Sequence, residues 1–193
     1  MNKRQFLATA ALSATLPLHA ATKANASQGP TLLTLTGAIT KANRGPLDPA
    51  LDQMMYKQKL AFDKALTLTF ADLLALPATT IRPTLEYDGK PHTLTGPLLT
   101  DVLRLAGSTT DDAATIYLRA IDGYAVAPTL AEVRKYRFIL ATHIDGKPMA
   151  LGSLGPLWAV YDADHLPEFA NRPLKERFAL CPWGIYHVDV KNA

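Results

Sequence analysis

Apolar and polar residues alternate over short stretches of the chain, and glycine, proline and Asp-Gly pairs separate these stretches. Alternation with a period of two predicts β-strands, because successive side chains of a strand point to opposite faces of a sheet. Asp-Gly between two such stretches predicts a tight turn. The predicted strands cover residues 31–36, 66–69, 81–87, 91–95, 115–121, 136–142, 157–161 and 183–190, with a short extended piece at 124–127.

Fewer stretches show helical spacing. Thr129 with Glu132 three residues later forms a capping box, which predicts a short helix after it. Pro97 is expected at the first position of another helix, where a missing N–H costs nothing, and Gly107 is expected to end that helix. Prolines interrupt residues 162–182, which are predicted to be irregular. The remaining predicted helices cover residues 50–64 and 70–76, so the fold class is α+β with sheet predominating.

Composition agrees with an ordinary globular domain. The chain has 193 residues, of which 48% are hydrophobic and 19% charged, which excludes a disordered or fibrous protein. No apolar run reaches the roughly 20 residues that a membrane-spanning helix needs, so no membrane span is expected. Without repeats or a dividing linker, residues 27–193 are predicted to form a single domain.

Residues 1–26 have the pattern of an export signal: a basic start, an apolar stretch from Phe6 to Leu18 and small residues thereafter. Cleavage is expected after Ala20 or after Ala26. The start Lys3-Arg4-Gln5-Phe6-Leu7 resembles the twin-arginine signal for folded proteins, and it also suits a general secretory signal. Either route predicts a periplasmic protein in a bacterium.

The leader also accounts for the basic character of the chain. Its three cations, Lys3, Arg4 and Lys23, are accompanied by no acid, and the remaining residues carry 17 cations and 17 acids. A neutral body gives no electrostatic reason to bind nucleic acid. The expected partner is a small-molecule ligand or a periplasmic protein.

The strong catalytic and nucleotide-binding motifs are absent from the sequence. Neither a phosphate-binding loop nor a dinucleotide fingerprint occurs, and the histidines show no metal-ligand spacing, so no metal site is predicted. The single cysteine, Cys181, has no partner for an internal disulfide and is interpreted as a buried structural thiol.

The order of several short motifs nevertheless suggests a family. The chain resembles the molybdopterin-binding oxidoreductase domain of the sulfite-oxidase fold, in its small periplasmic bacterial form, from about Leu33 to Val190. The motifs that carry the resemblance are Leu74-Ala75-Leu76-Pro77, Thr80 to Tyr87, Leu94 to Leu103, Ala120 to Tyr124, Ile139 to Ala141, Asp145 to Met149, Gly155 to Tyr161 and Trp183 to Val190.

The resemblance implies a molybdenum–pterin cofactor whose metal is bound by a cysteine thiolate. In the family this cysteine closes the strand after the Leu-Pro helix, and Tyr87 is the nearest residue to that place here. A phenol with an ordinary pKa near 10 is a poor substitute for a soft thiolate on molybdenum. Cys181 lies in a different segment and is not expected to reach the same site.

Two further departures concern the pterin phosphate. Thr129 stands nearest the place where cofactor-loaded members carry an arginine, a residue that suits a phosphate bidentately. Residues 162–182 replace a glycine–lysine loop that meets the pterin in such members.

These departures favour a domain without molybdenum catalysis that binds a ligand or a partner as an accessory or sensory protein, with no resident cofactor. The alternative is an active molybdenum–pterin oxidoreductase with an oxygen ligand such as Tyr87 or Glu86. The candidate cofactor- or ligand-binding residues are Glu86, Tyr87, Asp122, Tyr124 and Thr129. Asp122 also fits a common hairpin turn, and Glu86 with Tyr87 also fits a solvated strand end.

Overall fold

Eleven short strands make up most of the regular structure in the computed structural model, which describes residues 29–193. Strands hold 32% of these described residues and helices 20%, which confirms the sheet-dominated α+β class. The strands are β1 (Thr31–Gly37), β2 (Leu66–Thr69), β3 (Ala78–Ile81), β4 (Leu94–Pro97), β5 (Thr115–Ala120), β6 (Ala125–Val126), β7 (Ile139–Ala141), β8 (His143–Ile144), β9 (Lys147–Pro148), β10 (Trp158–Val160) and β11 (Ile185–Lys191).

The helices are short and lie between these strands. They are α1 (Gln53–Lys57), α2 (Phe70–Leu74), α3 (Leu99–Leu105), α4 (Leu130–Lys135) and α5 (Pro167–Ala170), with 3₁₀ turns at Ala163–His165 and Leu174–Glu176. No helix within residues 29–193 has the length and apolar character that crossing a membrane requires. The leader predicted at residues 1–26 lies outside the described residues.

The largest sheet has five strands in the order β2-β1-β11-β5-β6. The last strand, β11, lies at its centre, parallel to β1 and antiparallel to β5. A second sheet has the order β3-β4-β8-β9, and β7 pairs with β10. Side chains from all three sheets pack into one cluster of buried hydrophobic residues, which includes Leu35, Leu94, Leu140, Trp158 and Val188.

Local sequence signals explain two of the helices. Thr69 and Thr129 each accept a hydrogen bond from the backbone N–H three residues later, and Asp72 and Glu132 bind back to the caps. Both helices therefore begin where the capping residues predict.

Four predictions of local structure are wrong. Residues 50–64 contain only the five-residue helix α1, because it has no buried side chain to offset the cost of forming the first turn. Pro97 ends β4 rather than starting a helix, since it pairs with Ala78 at a strand end where no donor is required. The strand predicted at residues 81–87 ends at Ile81, because Pro83 cannot donate to a ladder. The predicted strand at 136–142 is likewise reduced to Ile139–Ala141.

The early end of β3 leaves residues 82–93, called here the β3–β4 loop, outside the sheet. The backbone N–H of Leu85 donates to the carbonyl of Lys90 at 2.9 Å, and that of His92 donates to Pro83 at 3.1 Å. Gly89 has a φ of 68°, which glycine adopts without strain and other residues rarely do. The loop is thus held together by its own backbone hydrogen bonds and lies outside the sheet.

A buried histidine lies in the centre of the five-stranded sheet. His187 is 2% exposed, and its Nε2 lies 3.0 Å from the hydroxyl of Thr36, which donates to Asp189. The hydroxyl oxygen therefore accepts from Nε2–H, which leaves Nδ1 unprotonated and without a partner among the described residues. Burial lowers the pKa of His187 to about 4.

The buried histidine predicts a loss of stability in acid. The pKa of His187 is lower in the folded chain than the ordinary value near 6.5, so the unfolded chain binds the proton more readily. We expect its contribution to the free energy of unfolding to be present above about pH 6.5 and to fall by about 3 kcal/mol as the pH approaches 4. Urea unfolding of the wild-type chain and of His187→Asn over this pH range measures this contribution. The difference between their free energies of unfolding should become smaller as the pH falls, and a difference that stays constant would contradict a buried, neutral His187.

Candidate functional site

A concave cleft lies at the end of the five-stranded sheet where β5 ends and β11 begins. It has a volume of about 310 Å³. Three separate parts of the chain form its walls: the β3–β4 loop, the turn between β5 and β6, and the segment that leads into β11. The lining residues are Glu86, Tyr87, Ala120, Asp122, Tyr124, Lys175, Phe178, Ala179, Cys181, Pro182 and Trp183. Four of the five residues singled out from the sequence therefore line one cavity.

The β3–β4 loop supplies one wall. Tyr87 is 55% exposed at the rim, with the Glu86 carboxylate and the Trp183 side chain in hydrogen-bonding contact with it. Desolvation, and then the negative charge of Glu86, raises the pKa of Tyr87 to about 12. The phenol is therefore protonated at neutral pH and presents an O–H to the cleft.

The turn between β5 and β6 supplies the facing wall. Asp122 accepts the backbone N–H of Tyr124 at 2.8 Å, and Gly123 has a φ of 92°. Asp122 therefore forms the predicted turn in addition to lining the cleft. The hydroxyl of Tyr124 donates to the carbonyl of Ala179 at 2.6 Å, which ties this wall to the segment before β11.

Cys181 forms part of the cleft floor, and the expectation that it would not reach this site is wrong. Its backbone carbonyl accepts the indole N–H of Trp158 at 2.9 Å, which places the segment against the core. The Cys181 side chain is buried, and burial raises its pKa well above the ordinary range. The interpretation as a buried thiol is therefore confirmed, and the thiol is protonated at neutral pH.

Thr129 does not line this cleft. Its hydroxyl accepts the N–H of Glu132 and contacts the Glu132 carboxylate, so it serves as the cap of α4. The suggestion of Thr129 as a cofactor- or ligand-binding residue therefore lacks support from its position, because its polar atoms are engaged in the capping box.

Sequence reasoning missed seven lining residues, among them three with large or charged side chains: Lys175, Phe178 and Trp183. Trp183 was included in the last predicted strand, but β11 begins two residues later, and Trp183 is 37% exposed at the rim. Lys175 and Phe178 lie in the segment that was predicted to be irregular. The 3₁₀ turn Leu174–Glu176 positions this segment, and no motif in the sequence marks it.

The comparisons with known proteins bear on the fold. The crystal structure of the sulfane dehydrogenase SoxCD from Paracoccus pantotrophus matches 83% of this chain with a TM-score of 0.54 and 14% sequence identity. The fold is of the sulfite-oxidase type. The match covers 38% of the SoxCD chain, so this chain spans well under half the length of that protein. Neither a protein-family model nor a curated protein matches the sequence.

The residues of the cleft do not fit the molybdenum–pterin cofactor that the resemblance implies. The thiol of Cys181 is buried in the core, and the phenol of Tyr87 offers a hard oxygen, whereas the implied ligand of molybdenum is an accessible soft thiolate. Two carboxylates, of Glu86 and Asp122, face one ammonium, of Lys175, so an anionic phosphate would meet more negative than positive charge here. In the described part of the chain, no cluster of three or more histidine, cysteine or acidic side chains is arranged to hold a metal.

The buried thiol predicts low chemical reactivity for Cys181. Because only the thiolate attacks a disulfide reagent, the native chain at about pH 8 should react at least about tenfold more slowly than the chain unfolded in urea. An aromatic disulfide reagent releases a coloured thiolate when it reacts with a cysteine, and the absorbance of this thiolate measures both rates. Equal rates in the native and unfolded chains would contradict the burial of Cys181.

Proposed function

We propose that this domain binds a small planar ligand in the cleft, without molybdenum catalysis, as a periplasmic accessory or sensory protein. The observation that carries the proposal is the cleft itself, which combines half-exposed aromatic rings with carboxylates in one concave site. Ligand sites in proteins are typically such clefts, with an apolar lining and a few polar groups that fix orientation.

The aromatic side chains favour a flat ligand. The side chains of the cleft rim are unusually exposed: 55% for Tyr87, 49% for Tyr124 and 37% for Trp183. Large aromatic side chains are mostly buried in folded proteins, so a cluster of exposed ones marks a surface that a ligand would cover. A planar ring that stacks on them would remove apolar surface from water and gain a favourable ring–ring contact. Since these rings come from three different segments, they form a rim rather than a single strip.

The polar groups favour a heterocycle with N–H donors. The carboxylates of Glu86 and Asp122 are acceptors, and a carboxylate can accept two parallel N–H bonds from an amino group and a neighbouring ring nitrogen. Lys175 supplies a donor for a ring carbonyl. An uncharged pterin or a guanine has this arrangement of donors and acceptors, whereas an aromatic dianion would be repelled by the two carboxylates.

The exposed rim leaves room for a second role. A periplasmic partner protein could contact Tyr87 and Trp183 differently in the free and the ligand-bound domain, and the domain would then report the ligand to that partner. Ligand binding and partner binding are thus two steps of one sensory function.

Loss of stacking at the rim should weaken ligand binding. We expect Trp183→Ala to reduce the affinity for a free pterin about tenfold or more, because stacking on an aromatic side chain contributes about 1–3 kcal/mol per ring. Isothermal titration calorimetry with the pterin measures this. Glucose, which is not planar, should give no heat of binding.

Tyr117→Ala provides a matched control. Tyr117 is also 37% exposed, but it lies on β5 outside the residues that line the cleft. This variant should bind the pterin as the wild type does. If neither a pterin nor guanosine binds, or if Trp183→Ala and Tyr117→Ala bind equally, the proposed ligand site is wrong.

Because the cleft offers no fitting set of ligands for molybdenum, we expect the purified protein to contain little of this metal. Protein purified from its native compartment should contain molybdenum far below one atom per chain, because the phenol of Tyr87 is a hard oxygen donor and the thiol of Cys181 is buried in the core. Elemental analysis measures the metal, and fluorescence after acid release measures any bound pterin. Near-stoichiometric molybdenum would overturn the proposal and favour the oxidoreductase alternative, with Tyr87 and Glu86 as the first ligands to test.

A further inference from the structure

His92 lies between two carboxylates at the base of the β3–β4 loop. Its Nδ1 is 2.7 Å from a side-chain oxygen of Asp145, and its Nε2 is 3.0 Å from one of Asp88. Both partners are pure acceptors when ionised, so both ring nitrogens must carry a proton for both hydrogen bonds to form. The geometry is therefore that of an imidazolium cation.

The two carboxylates belong to different parts of the fold. Asp88 lies on the β3–β4 loop itself, whereas Asp145 occupies the turn between β8 and β9 with a φ of 48°. Asp145 also accepts the backbone N–H of Thr93 at 2.9 Å, which fixes its carboxylate. His92 thus ties the loop to a turn at the far side of the same four-stranded sheet.

The loop held in this way carries one wall of the cleft. Glu86 and Tyr87 directly precede Asp88, and the backbone N–H of Gly89 closes the loop on the carbonyl of Leu85 at 3.0 Å. On the loop's other side, the N–H of Thr84 donates to Asp164 at 2.7 Å, and Arg177 binds the second oxygen of the same carboxylate. That second attachment holds the start of the loop, and His92 holds its end.

We propose that His92 is a positioning residue of the cleft, which as a cation fastens the β3–β4 loop so that Glu86 and Tyr87 face the ligand. Its effect on ligand affinity rests on the proposed function, whereas its effect on the loop does not. Protonated His92 makes both contacts, and neutral His92 can donate to only one carboxylate.

The surrounding charges determine the direction of the pH dependence. The hydrogen bonds that His92 donates to Asp88 and Asp145 raise its pKa above the usual value near 6.5. Arg82 faces Asp145, and Lys90 lies beside Asp88, so these two cations act on the carboxylates. The fastening should therefore be complete at mildly acidic pH and should be lost as the pH rises through the raised pKa of His92.

A second histidine on the opposite side of the loop provides a matched control. His165 contacts the carboxylate of Asp162 at 3.0 Å, and this hydrogen bond raises its pKa as well. Asp162 also accepts the backbone N–H of Arg82 at 3.4 Å. The pKa values of His165 and His92 are thus shifted in the same direction, but His165 does not contact Asp88 or Asp145 in the structure.

Nuclear magnetic resonance of the ligand-free protein tests the effect on the loop. The backbone amide signals of Glu86 and Tyr87 should shift between about pH 5.5 and 8.5 with the midpoint of the His92 ring. His92→Gln should abolish this shift, and His165→Gln should preserve it. Amide signals that do not follow the His92 ring, or that still titrate in His92→Gln, would overturn the proposal.

Calorimetry with the pterin separates this proposal from the proposed function. Wild-type affinity should fall about two- to fivefold across the His92 titration, a size typical for the loss of exposed ion-pair contacts, and His92→Gln should bind weakly at every pH. Pterin binding that depends neither on pH nor on His92 would overturn the positioning role and leave the proposed function intact. If the loop signals follow the His92 titration but the protein binds no pterin, His92 does fix the position of the β3–β4 loop and the proposed ligand is wrong.

Discussion

The position of the last strand constrains the rest of the structure. β11 lies at the centre of the five-stranded sheet, parallel to β1, and Thr34 pairs there with His187. A central strand must satisfy backbone hydrogen bonds on both edges, so the sheet cannot be complete until the C-terminal residues are in place. The segment that leads into β11 is thereby fixed against the end of β5, and this junction is the floor of the cleft. The cleft is thus a direct consequence of the strand order.

The chemistry of the cleft follows from what this junction buries and what it leaves exposed. Cys181 packs into the core beside Trp158, where burial keeps its thiol protonated. Trp183, two residues later, stays at the rim beside Tyr87. A fold of the sulfite-oxidase type therefore presents rings and carboxylates here rather than a thiolate with a surplus of positive charge. The fold alone therefore does not decide the function of the cleft, because the same backbone can surround different chemistry.

The supports of the cleft are polar and lie outside the core. The β3–β4 loop contributes few buried side chains, and Leu85 is its main apolar anchor. The hydrogen bond that Thr84 donates to Asp164 on one side, and those that His92 donates on the other, therefore fix its position. Loops held by exposed polar contacts are the least stable parts of a fold and the ones that respond to pH and ligands. The opposite wall, held by the hydroxyl of Tyr124 on the carbonyl of Ala179, has no titrating partner in that bond.

The sequence by itself determined the features that depend on neighbouring residues. Thr69 and Thr129 begin helices because their partners are three residues away, and Asp122 with Gly123 forms a turn within one short segment. The order of motifs was enough to predict the fold class. It also singled out five candidate residues, of which four line one cleft in the structure.

Only the tertiary structure decided the features that join distant segments. His92 meets Asp145 across 53 positions, and Tyr124 meets Ala179 across 55. Cys181 reaches the cleft, and Thr129 does not, for the same reason: side-chain position depends on how strands far apart in the chain pair and pack. The helix predicted over residues 50–64 failed for a related reason. A helix of about 15 residues forms only where tertiary packing stabilises it, and α1, the short helix that is present, buries no side chain.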